Sequence, residues 1–97
     1  MELRAAARRE LGDILSSDGV SPLAALRLKA GLSQAELAKR LEMHQPQLSR
    51  LESGQHSDVY VSTLAALAGA LGMGLEVVND AFKATRAGYV ERVVHHE

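Results

Sequence analysis

Gln45, Gln47, Ser49 and Arg50 fall within the six residues QPQLSR, where Leu48 is the one large aliphatic side chain. A glutamine amide can pair bidentately with adenine, and a guanidinium with the O6 and N7 of guanine. Ser49 is shorter and suits a phosphate oxygen. The chemistry these residues offer is non-covalent reading of base-pair edges. Nothing else in the chain competes with it. Cysteine is absent, the four histidines are His44, His56 and the terminal pair His95 and His96, and the glycines sit at expected helix ends. No nucleophile with its base, no metal cluster and no phosphate cradle is visible, so no enzyme is expected. His95 and His96 read as a solvent-facing tail, and no metal or cofactor is assigned.

Such a set can read DNA only if a rigid element presents it. Ser33 followed by Glu36 is a capping box that satisfies the orphan amides at a helix start. Ala35, Leu37, Ala38 and Leu41 then recur at helical spacing opposite Lys39 and Arg40. Glu42, Met43 and His44 make a turn. A second helix runs from Gln45 to Ser53, with Pro46 in its first turn, where a missing donor costs nothing. Leu48 and Leu51 point inward, and Gly54 closes the helix in a left-handed conformation. Two short helices joined this way, with the polar side of the second turned outward, form a helix-turn-helix. A plain helical hairpin inside a core is the weaker alternative, given so polar an outer face.

These residues resemble the Cro/C1-type, or XRE-family, helix-turn-helix, whose pattern is SQxELAxxLGVSxxxISxIExG. Ser33, Gln34, Glu36, Leu37, Ala38, Leu41, Ser49, Glu52 and Gly54 match it. The resemblance implies that Gln34 positions the motif against a phosphate and that Gln45, Gln47 and Arg50 meet base edges. It also implies a five-helix lambda-repressor-like domain over residues 21–72. Two positions depart from the pattern. Glu42 stands where the family has glycine, which in a left-handed turn costs roughly 1 kcal/mol. His44 replaces the usual Ser or Thr N-cap and is a weaker cap, unless it reaches a phosphate instead. For Lys39 and Arg40 a solvated face and a phosphate contact stand equal. Arg50 has the alternative of a solvated charge paired within its own helix. The DNA-facing candidates are thus Ser33, Gln34, Lys39, Arg40, His44, Gln45, Gln47, Ser49 and Arg50.

Composition fits one small module. The chain has 97 residues, 46% of them hydrophobic, with only three aromatics, so the core must be aliphatic and helical. Its net charge of -1 is unusual for a DNA binder. Residues 21–54, however, carry Arg27, Lys29, Lys39, Arg40 and Arg50 against Glu36, Glu42 and Glu52, a local net of +2. Weak overall positive charge predicts modest non-specific affinity and reliance on specific contacts and dimerisation. With no apolar run of bilayer length and no signal peptide, a cytoplasmic, membrane-free protein is expected.

The flanks complete the expected fold, a mainly α protein. Residues 2–15 form an amphipathic helix along Leu3, Ala7, Leu11, Ile14 and Leu15, and residues 1–20 are that helix and its linker. Ser21-Pro22 opens the next helix, burying Leu23, Leu26 and Ala30 and ending at Gly31. Ser62 caps a further helix ending at Gly72. Residues 73–97 are set apart as a C-terminal strand or hairpin: LEVVN at 75–79 is short, branched and apolar, and YVERVV at 89–94 is similar. A lone strand needs a partner, so Leu75, Val77 and Val78 are candidates for dimerisation or partner binding. A helix before the domain and an "LGxxLEVV" strand after it resemble antitoxins of the HigA and HipB kind. That resemblance implies a repressor, bound as a homodimer to a palindromic operator in double-stranded DNA, that also neutralises a toxin. A stand-alone or phage-type regulator without a toxin is the alternative. A third possibility, a protein-interaction module that has lost DNA binding, is opposed by Gln45, Gln47 and Arg50.

Overall fold

The structure is a computed structural model that describes residues 20–95, with side chains to residue 94. The helix expected over residues 2–15 and the terminal His96 lie outside the described residues. Five helices follow in order: α1 (Pro22–Lys29), α2 (Gln34–Arg40), α3 (Gln45–Ser53), α4 (Val61–Leu71) and α5 (Leu75–His95). There is no strand among the described residues.

Local signals account for most of the boundaries. The Ser21 hydroxyl accepts from Ala24 N at 3.1 Å with Pro22 following, which starts α1, and Gly31 ends it at φ +77°. Ser33 and Glu36 form both halves of the expected capping box, Glu36 N donating to Ser33 Oγ at 3.1 Å and Ser33 N to Glu36 Oε1 at 2.9 Å. Glu42 takes φ +54°, the left-handed conformation for which the family pattern uses glycine. Met43 N then donates to Ala38 O at 3.0 Å, tying off the last turn of α2. At the start of α4, Tyr60 and not Ser62 occupies the N-cap position. Its carbonyl accepts from Thr63 and Leu64, so Ser62 lies inside the first turn.

The expected C-terminal strand is instead α5, a helix of 21 residues. The branched LEVV favoured a strand on propensity, a preference that spans only ~1 kcal/mol and yields to packing. Packing favours the helix: Val78, Ala81, Phe82 and Thr85 recur at the spacing of one helical face. Val78 is fully buried, Ala81 and Phe82 pack on the core, and Thr85 is buried. The second supposed strand, residues 89–94, continues the same helix.

One aliphatic core joins all five helices: Leu23, Leu32, Leu37, Ala38, Leu48, Leu51, Leu64, Leu67, Ala68, Leu71 and Val78. The core therefore does not stop at Gly72. α5 is its keel, with α1 and α4 packed on it, while α3 rests against α2, α5 and α1. Thr85 shows how closely α5 is stitched in. Its Oγ1 donates to Ala81 O at 2.8 Å and accepts from Leu23 N at 3.2 Å, satisfying an orphan amide in the first turn of α1.

Candidate nucleic-acid interface

α3 is built to show one face. Leu48 (0% exposed), Leu51 and Glu52 face the core. With 3.6 residues per turn, Pro46 and Arg50 then stand outermost, while Gln45 and Gln47 flank them on opposite sides. Gln45, Pro46, Gln47, Ser49 and Arg50 are all exposed. The Arg50 guanidinium has no partner among the described residues, so the alternative of pairing within its helix is not what the structure contains.

A chain of polar contacts holds this face from behind. Arg27 Nε donates to Glu52 Oε2 at 2.8 Å, and its Nη1 to Leu32 O at 3.0 Å. Gln34 Nε2 donates to the other carboxylate oxygen of Glu52 at 3.2 Å, and Gln45 Nε2 donates to Gln34 Oε1 at 3.2 Å. Glu52 is only 6% exposed. Its charge is tolerated because both oxygens are engaged, one of them by a cation. The chain runs from a buried ion pair to a surface glutamine and fixes the start of α2 against the start of α3. Sequence reasoning counted Arg27 as a charge and Glu52 as a charge and a match to the family pattern; their separation of 25 residues gives no local cue to their pairing.

The two flanking glutamines keep capacity to read a base. Gln45 spends one amide hydrogen on Gln34 and retains the other along with its oxygen. The His44 amide donates to Gln47 Oε1 at 2.9 Å, which leaves the Gln47 amide hydrogens free. The start of α3 is thus held by the Gln47 side chain on the His44 amide and by the His44 carbonyl, which accepts from Gln47 N at 3.0 Å and Leu48 N at 3.3 Å. Pro46 was read only as a helix starter, yet its ring stands on the outer face beside Arg50. An apolar group there can meet a thymine methyl.

The remaining candidates divide. Ser33 is half-buried and its hydroxyl accepts within the cap of α2, leaving only its own proton to donate outward. Lys39 and His44 are exposed. Arg40 is exposed too, but its Nη1 reaches Ala70 O at the end of α4, at 3.4 Å, where a cation suits the helix C-terminus. Leu75 and Val77, offered as partner contacts, are 43% and 48% exposed; Val78 is in the core and has no surface to offer a partner.

No three His, Asp or Glu side chains come together as a metal site among the described residues. No single described helix is long and apolar enough to cross a membrane. A family profile described as helix-turn-helix matches residues 23–78, more than half of the chain. No curated protein matches it.

Proposed function

The chain belongs to the helix-turn-helix family, in its XRE branch of DNA-binding transcription regulators, and from that premise we propose that it is a sequence-specific repressor whose α3 reads the major groove. The observation that carries this reading is the exposed face of Gln45, Pro46, Gln47 and Arg50, backed by the Arg27–Glu52–Gln34–Gln45 chain. Gln34 and the start of α2 sit against the phosphates, and the outer face of α3 meets base edges. A two-fold dimer would set two such helices in successive major grooves, ~34 Å apart, on a palindromic operator. Binding there occludes a promoter. The test is titration of the full chain with the DNA upstream of its own gene and with unrelated DNA of equal length. Tighter binding to the upstream duplex supports the reading, and equal binding to both at all salt concentrations refutes it.

A narrower reading makes the protein the antitoxin of a toxin–antitoxin pair. It rests on the sequence resemblance and on the exposed Val90, Val93 and Val94 near the end of α5, which offer apolar surface to a partner. The strand that also suggested it is a helix. Purification of the untagged chain from its host decides the matter. A stoichiometric partner that is toxic when expressed alone supports the antitoxin, and recovery of a homodimer alone points to a stand-alone regulator.

A further inference from the structure

The last carbonyls of a helix have no partner within it. At the end of α3, Gly54 N donates to Leu51 O and Gln55 N to Arg50 O, at 3.2 and 3.0 Å. Two of the carbonyls beyond these, those of Ser53 and Gly54, are taken by two guanidinium groups of α5. Arg92 Nη2 donates to Ser53 O at 3.2 Å, and Arg86 Nη1 donates to Gly54 O. Arg86 in turn lies over the Tyr89 ring, 5.6 Å from its centroid. The backbones also meet: a Cβ on Gly54 would stand 2.7 Å from Thr85 O and 2.8 Å from Tyr89 Cβ. Gly54 is therefore required twice, for its φ of +88° and for this approach.

The ends of α3 are held by different parts of the chain. Its first turn is fixed through Gln34 and its middle through Leu48, Leu51 and Glu52, all within the matched residues 23–78. Its C-terminal end is held by Thr85, Arg86, Tyr89 and Arg92, all beyond residue 78. Two cations there also complement the negative end of the helix dipole. Base reading demands side chains placed within about 0.5 Å and 10–20°, whereas contacts to phosphates tolerate a change of tilt.

We propose that Arg86, assisted by Arg92, is a positioning residue that sets the angle at which α3 is presented to DNA, so that the chain beyond residue 78 governs sequence discrimination without touching a base. This rests on the reading of α3 as the DNA reader. The test uses the full-length chain and its Arg86→Ala and Arg86→Lys variants. One probe is the duplex that the wild-type chain enriches from a randomised library, and the other is an unrelated duplex of equal length. Amide exchange across residues 51–55 is followed in the free proteins.

Arg86→Ala is expected to weaken binding to the enriched duplex about tenfold, ~1.4 kcal/mol, with binding to the unrelated duplex unchanged. Exchange at residues 53–55 should quicken by a similar factor while that of Leu37 and Leu64 holds. Arg86→Lys, which keeps a cationic donor, should recover part of both effects. A fall in affinity for both duplexes in step, or unaltered exchange with unaltered affinity, overturns the proposal while leaving α3 as the reader. A wild-type chain that enriches no duplex overturns the reading of α3 itself, and the claim about discrimination with it.

Discussion

Arg50 and Gln34 separate two kinds of contact that a DNA reader makes. Arg50 stands on the outer face of α3 without a partner among the described residues, so Arg50→Ala should cost on the order of 1 to 3 kcal/mol and relax preference at one base pair. Gln34 opens α2, the end proposed to lie against phosphates, so Gln34→Ala should weaken binding to every sequence, with a further change only at the base pair met by Gln45, which Gln34 holds. Binding profiles over a set of single-base operator variants distinguish them, and equal loss on every duplex for Arg50→Ala would remove it from the readers. Glu52→Ala leaves Arg27 half-buried without its carboxylate. It should lower stability by about 3 kcal/mol, as broken buried pairs do, and urea unfolding that changes by less than a few tenths would mean the pair is dispensable. The elements that build the exposed face of α3 were legible because they are local: the capping box, the proline, the closing glycine and the polar side of α3 all lie within 22 residues. Arg27–Glu52 and Arg86–Gly54 were not legible, because each joins residues that only the packed core brings together.

α5 is the element where sequence reasoning failed. Two adjacent valines in a short apolar run suggested a strand, whereas the register Val78, Ala81, Phe82, Thr85 was the stronger signal once a core existed to receive it. The consequence is testable with neighbouring residues. Val78→Asp would bury an unpaired charge and should abolish the cooperative thermal transition. Val77→Asp, at an exposed position, should shift Tm by only a few degrees. Comparable losses from both would mean that α5 does not pack as described. If Leu75 and Val77 also form the dimer contact, Val77→Asp should sediment as a monomer. The first four helices were legible because the caps Ser21 and Ser33 and the glycine stops Gly31, Gly54 and Gly72 are written in the chain, and Ser62 misplaced the start of α4 only slightly. The packing of α5 under α3 had no local cue.

The whole molecule combines a net charge of -1 with a motif of net +2. A protein so balanced gains little from phosphate neutralisation, and its hold on unrelated DNA should be weak and depend only shallowly on salt. Useful affinity must then come from correctly placed base contacts and, in the proposed dimer, from pairing two copies, which raises the importance of everything that orients α3, from Glu52 at its back to Arg86 at its end. The most direct test is enrichment of duplexes from a randomised library by the wild-type chain and by Arg50→Ala side by side. The account predicts a two-fold symmetric sequence with half-sites about one helical turn apart, in which the variant loses preference at one base pair in each half-site. Enrichment of no sequence, or the same profile from both proteins, would contradict it.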